Sequence, residues 1–176
     1  MNIQKLLFKL FISLTYLIRC WILILPIAIA IIVMKEDGWK YGFTFIQSNL
    51  NVAFFIAFAF SFLLSLYHTL SFEEAEGFPD ENFLKSHQIV RVRSTYSIPE
   101  LEDWLASNSR FVNISVIGNT IIASKKVYFL KPDKIRIEHK DDLYTIESRP
   151  YFSWWFIDFA RNYKTVKRIA QYIKIK

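Results

Sequence analysis

The sequence predicts a membrane α-helical hairpin joined to an α+β domain. That domain is a mostly antiparallel sheet of about five to six strands, with a short helix after strand 1 and a C-terminal covering helix. Three observations carry this. Residues 6–34 and 52–70 are apolar stretches close to or beyond the ~20 helical residues that cross a ~30 Å hydrocarbon core. From residue 88 to 147, short runs alternate polar and apolar between turn residues, the period of half-buried strands. Phe159, Tyr163, Val166, Ile169, Ala170 and Ile173 then recur at helical spacing. The expected organisation is a hairpin over 1–71, an acidic linker over 72–84 and a cytoplasmic α+β domain over 85–176.

Arg19 interrupts the first apolar stretch. An arginine at the bilayer centre costs ~2.5–3.5 kcal/mol on insertion scales. The expectation is therefore an interfacial helix over about 5–18 and spans over about 20–35 and 52–70, with Arg19 among the headgroups and Trp21 in the aromatic belt. The alternative is one long leaning helix whose Arg19 snorkels or pairs. Pro26 is tolerated in either. In the second stretch Ala53, Ala57, Ser61 and Ser65 form a stripe of small residues that lets another helix approach closely, either the first stretch or a different membrane protein. Phe54, Phe55, Phe58, Phe60 and Phe62 suit lipid. Lys5, Lys9 and Arg19 precede a neutral connecting loop over 35–51, so the positive-inside bias puts both termini in the cytoplasm.

The linker carries Glu73, Glu74, Glu76, Asp80 and Glu81, with breakers at Gly77 and Pro79. The first strand is read over 88–96. Ser97-Ile98-Pro99-Glu100 is a capping box with proline in the first turn, and Leu101, Trp104 and Leu105 give the short helix its apolar face. Residues 111–117 and 120–124 pair through a Gly118-Asn119 turn, and 127–130 extends the sheet. Turns are expected at Lys131-Pro132-Asp133 and at Asp141-Asp142 on either side of the alternating run 135–139, and residues 143–147 pair back. Pro150 ends the sheet, Asp158 is placed to cap the last helix, and Asn162 to fasten that helix to the sheet.

Ile146-Glu147-Ser148-Arg149-Pro150, followed by Asp158, Asn162 and Val166 at four-residue spacing, resembles the ending of uncharacterised bacterial membrane-anchored α+β domain proteins. In those, a strand with a Ser-Arg or Ser-Lys motif leads to a helix opening Asp-x-x-x-Asn. Arg161 stands where they often carry glycine. The resemblance implies architecture, not chemistry.

The sequence carries no catalytic signature. Cys20 is the one cysteine, which excludes an internal disulfide, and His68, His87 and His139 lie far apart, against a metal site. There is no Gly-x-Ser-x-Gly elbow and no phosphate loop, so no catalytic, cofactor or metal residues are assigned and no cofactor is expected. The net charge is +6, but residues 85–176 hold 17 Lys and Arg against 9 Asp and Glu. Without a groove-reading helix or base-stacking sheet motif, this basic excess argues for anionic lipid rather than nucleic acid. Trp154 and Trp155, with Arg161, Lys164, Lys167 and Arg168, are the candidate membrane-surface residues of the domain.

The expected function is a non-enzymatic integral membrane accessory protein that presents this domain to a membrane-protein partner or a second copy of itself. The Ile, Lys, Phe and Asn bias points to an AT-rich bacterial genome, hence a bacterial inner membrane. The alternatives are a lipid- or peptide-sensing module in the manner of a pleckstrin-homology domain, a toxin-immunity protein, and an enzyme acting on a lipid-borne substrate.

Overall fold

A computed structural model of the chain describes residues 3–35, 37–73, 85–128, 130–152 and 157–174. It comprises two compact units, Met1–Pro79 and Asp80–Lys176.

The first unit is a pair of long helices, α1 (Ile3–Lys35) and α2 (Phe43–Glu73), joined by a 3₁₀ turn at Gly38–Lys40. At 1.5 Å per residue, 33 and 31 residues extend ~50 Å and ~46 Å. The helices run antiparallel. Ala28 is buried with Ala53 and Ala57 near the turn, the Trp21 ring meets Phe54 edge-on at 4.7 Å, and Ser13 bonds Thr69 at 2.6 Å towards the open end. A side chain on Gly38 would collide with the Phe45 ring, so the turn closes tightly against α2 only because that residue is glycine.

Three boundaries differ from the sequence reading. The helix is not divided at Arg19 into separate helices over 5–18 and 20–35; α1 runs unbroken. Its N-terminal half has its own partners on α2: Ser65 Oγ donates to Ser13 O at 2.6 Å, and Tyr16 stacks on His68 at 3.7 Å. Those contacts favour continuing the hairpin over turning away from it. Second, α2 begins at Phe43, well inside the expected loop. Thr44, Ser48 and Asn49 donate side-chain hydrogen bonds to Tyr41 O and Phe45 O at 2.9–3.0 Å, so the polar residues are accommodated within the helix. Third, α2 includes positions 72 and 73 of the expected linker, and 74–84 lie outside the described residues.

The second unit is an antiparallel sheet in the order β1-β5-β4-β3-β2, with β1 at Gln88–Arg93, β2 at Phe111–Ile117, β3 at Thr120–Val127, β4 at Leu130–Lys140 and β5 at Leu143–Arg149. Helix α3 (Ile98–Ser107) follows β1, and α4 (Arg161–Lys174) follows β5. The expected capping box forms: Ser97 Oγ accepts from Glu100 N, and Glu100 Oε2 accepts from Ser97 N. Gly118 adopts φ 57 in the β2–β3 turn, and Asp141 and Asp142 adopt φ 50 and 59 in the β4–β5 turn, as a tight hairpin with right-handed strand twist requires.

The turn expected at Lys131-Pro132-Asp133 is instead part of β4. Pro132 is tolerated because β5 stops opposite Lys134 and the β3 register shifts between Lys125 and Val127, so no regular ladder bond needs its missing N–H. Five strands result. Both helices cover one face of the sheet, sealing Val92, Tyr144, Ile146, Ile137 and Ile121 with Leu101, Leu105, Val166, Ile169 and Ile173. The C-terminal end of α4 is tied down where Ser94 Oγ donates to Ile173 O at 2.6 Å.

Enlarging the hairpin seam should force the helices apart. Ala57 is fully buried, so Ala57→Leu is expected to cost about 1–3 kcal/mol. Phe55→Leu, on an outward position, should stay within about 0.5 kcal/mol. Thermal unfolding of the purified full chain checks both; equal melting shifts would contradict the seam.

Candidate functional site

The hairpin absorbs the small-residue stripe. Ala53, Ala57, Ser61 and Ser65 are all buried against α1, so that face is not open to a helix of another protein. Arg19 is exposed on α1, whereas Trp21 is half-buried against Phe54. Trp154 and Trp155 lie outside the described residues.

In the α+β domain, a polar knot lies beneath the start of α4. The chain enters this helix through two left-handed residues, Phe159 (φ 49) and Ala160 (φ 57), a conformation that costs ~1–2 kcal/mol per non-glycine residue. Asp158 steadies the turn by accepting from Asn162 N at 3.3 Å and Asn162 Nδ2 at 3.2 Å. Ser148 Oγ on β5 donates to Asn162 Oδ1 at 2.6 Å. Ser148, Asp158 and Asn162 are all buried. The spacing singled out in the sequence therefore marks side chains that meet across the strand–helix junction.

Arg161, the next residue of the knot, is not an outward cation. Its Nε and Nη2 donate to Asp133 Oδ2 and Oδ1 at 2.5 and 2.9 Å, a bidentate pair with a carboxylate that is 1% exposed. Lys125, opposite Asp133 on β3, donates to Thr165 Oγ1 at 2.7 Å, and Thr165 donates to Arg161 O at 2.8 Å. Burial lowers the Lys125 amine to about 8, against the opposing pull of Asp133. Burial raises the Asp158 carboxyl to about 6, partly offset by the Asn162 hydrogen bonds and Arg161. The Asp133 carboxyl is also raised by burial, opposed by Arg161 and Lys125. Sequence reasoning missed Asp133 and Lys125, because it placed Asp133 in a turn and Lys125 between two strands, whereas β4 and β3 run through them and turn both to the helix-covered side.

These bonds connect β3, β4 and β5 to the first turns of α4. Among the described residues no group of three or more His, Cys, Asp or Glu is placed to hold a metal. Lys164 and Lys167 are half-buried on α4, with Lys167 Nζ 5.1 Å above the Tyr163 ring, and Arg168 is exposed.

The opposite face of the sheet is covered by neither α3 nor α4. It carries Arg91 and Arg93 on β1, Lys134, Arg136 and Lys140 on β4, and Arg149 on β5. Glu138 and Glu147 are the acids among these strand positions. Arg136 reaches Glu138 at 3.5 Å, Arg149 reaches Glu147 at 3.7 Å, and Lys134 Nζ lies 4.7 Å from the Tyr151 ring. The net basic character of the domain is thus expressed on two sides, the outer face of α4 and the bare face of the sheet.

No protein-family model, curated protein or solved structure matches the chain.

Two outcomes follow from the knot. Arg161→Met should strand a buried carboxylate and cost about 3–5 kcal/mol, and adding Asp133→Leu should recover most of it. Hydrogen exchange of β4 amides reads both; a double variant as unstable as the single would contradict this coupling. Because the folded-state value of Asp158 lies above its ordinary value, its contribution to stability is present at low pH and lost as pH rises through about 6. Relative to Asp158→Asn, the wild type should lose up to about 3 kcal/mol between about pH 4 and pH 7. Parallel pH profiles in denaturant-dependent hydrogen exchange of α4 would refute this.

Proposed function

We propose that the chain is an integral membrane protein whose helical hairpin anchors a small basic α+β module at the cytoplasmic face of a bacterial inner membrane, where it serves as a non-enzymatic accessory or interaction protein. One observation carries this reading. The two helices have apolar windows of mean hydropathy 2.7 and 2.0, of which 11% and 22% is buried. A core helix of a water-soluble protein buries most of such a surface. Here Leu10, Phe11, Ile22, Ile31, Phe55, Phe60 and Leu63 are all exposed, on many sides of the pair. An apolar surface of this extent belongs to lipid or to other membrane proteins. The α+β unit differs in kind, with a closed core of its own and charged outward positions.

The small-residue stripe no longer supports partner docking, since α1 occupies it. A membrane-protein partner or second copy would meet the Phe-rich outer surface of the hairpin or the basic module. Lipid sensing by the module is the second reading, favoured by the bare basic face of its sheet.

Topology tests the proposal. Protease added to intact cells should leave the C-terminal domain whole, and protease added to inverted membrane vesicles should remove it. The reverse pattern would overturn the orientation. Gentle purification in mild detergent should yield a complex larger than one chain in its micelle, and a lone monomer would remove the accessory role.

A further inference from the structure

We infer that the bare sheet face, at the corner formed by Arg91, Arg93 and Lys140, is a docking site for the phosphate headgroups of anionic lipid. The inference rests on the membrane-anchored reading and names the ligand that the module meets there.

Cross-strand pairing fixes the geometry. Leu143 on β5 lies opposite both Arg93 on β1 and Lys140 on β4. Strands ~4.8 Å apart therefore place these two cations ~10 Å from each other, with the leucine between them. Arg91 follows two residues along β1, opposite Thr145, on the same face. The three side chains line a shallow concavity together with Glu138, Asp141, Leu143 and Thr145. Glu138 is engaged by Arg136. Among the described residues Arg91, Arg93 and Lys140 have no ion-pair partner, in contrast to Arg136 and Arg149 on the same face. Against these three cations stand Glu138, drawn to Arg136, and Asp141, which makes no ion pair with them, so the concavity keeps a net positive charge and suits an anionic headgroup.

Two observations select lipid over a soluble anion. The same face exposes Ile89, Ile117 and Ile122, at 49%, 66% and 43%. A site for free phosphate has no use for exposed isoleucines, whereas cations interleaved with apolar side chains suit the headgroup boundary. The second is tether length. Only residues 74–87 separate the end of α2 from β1. Fully extended, those residues span at most ~50 Å, so a module anchored through α2 is held within reach of the bilayer surface. Anionic lipid in that leaflet attracts basic residues cooperatively and within about one Debye length. The outward face of α4 is also basic, through Lys164, Lys167 and Arg168, and its edge shares a groove with Ile89 and Arg91 of β1, but no large apolar side chain of α4 itself is exposed there.

The experiment uses the full chain in nanodiscs, with Cys20→Ser and one reporter cysteine, Ile122→Cys on the sheet or Ala106→Cys on α3, where the side chain is exposed on the helix-covered side. The cysteine carries a fluorophore that is quenched by headgroup-spin-labelled lipid. With phosphatidylglycerol in the disc, quenching at position 122 should exceed that in pure phosphatidylcholine by about threefold or more and fall back in about 0.5 M NaCl. It should also vanish in Arg91→Gln/Arg93→Gln/Lys140→Gln, with hydrogen exchange of β4 unchanged to show that the variant is folded. Position 106 should report no such change. Quenching at 122 that ignores lipid charge, or stronger quenching at 106, would overturn the inference while leaving the anchor intact. Loss of quenching on adding millimolar inorganic phosphate at constant ionic strength would reassign the site to a free anion. A chain that does not enter nanodiscs at all would overturn the anchor reading and this inference with it.

Discussion

Two helices packed against each other can bury one stripe each, and everything else on their surfaces must face the surrounding solvent. That geometric limit governs the front part of this chain. Ala28, Ala53 and Ala57 bring the helices together, and Ser61, Ser65 and His68 continue the buried stripe along α2. What remains is a cylinder of Phe, Leu and Ile side chains. In water, exposing it would oppose the hydrophobic effect at ~25 cal/mol per Å² of apolar area. In hydrocarbon it costs nothing, while every internal backbone hydrogen bond of the helices is already made.

The polar stripe inside the hairpin follows from the same limit. Small hydroxyl-bearing residues allow close approach and can bond across the seam, as Ser65 does to Ser13 O and Ser13 to Thr69. The α+β unit solves the opposite problem. Its sheet has one face sealed by α3 and α4, and the ionisable groups in that layer are partnered, as the Asp133–Arg161 pair, the Lys125–Thr165 bond and the Asn162 bonds to Asp158, held by strand register and by the left-handed turn before α4. The other face of the sheet carries mostly charged and polar side chains, with Ile89, Ile117 and Ile122 exposed among them.

Much of this architecture was legible in the sequence, where local chemistry fixes it. The Ser97–Glu100 capping box, the Gly118-Asn119 and Asp141-Asp142 turns and the helical spacing around Val166 all rest on contacts within a few residues. The errors fall where distant contacts decide. Arg19 left two readings open, a division at the headgroups or one long helix, and the pairing of Ser13 and Tyr16 with residues near the end of α2 goes with the second. Pro132 read as a turn, but the neighbouring ladder ends or shifts just where its missing N–H would matter. Asp158 and Asn162 were visible as a pair at helical spacing; Asp133 and Lys125, their neighbours in the knot, were not, because two cross-strand positions some way apart in sequence leave no local signature.

The solvent of the hairpin is the point on which the account turns, and alkaline carbonate extraction followed by flotation of native membranes tests it most directly. The unmodified chain should remain with the lipid and rise with it through a density gradient. Recovery of the full-length chain in the aqueous supernatant, dispersed and stable without detergent, would contradict the account.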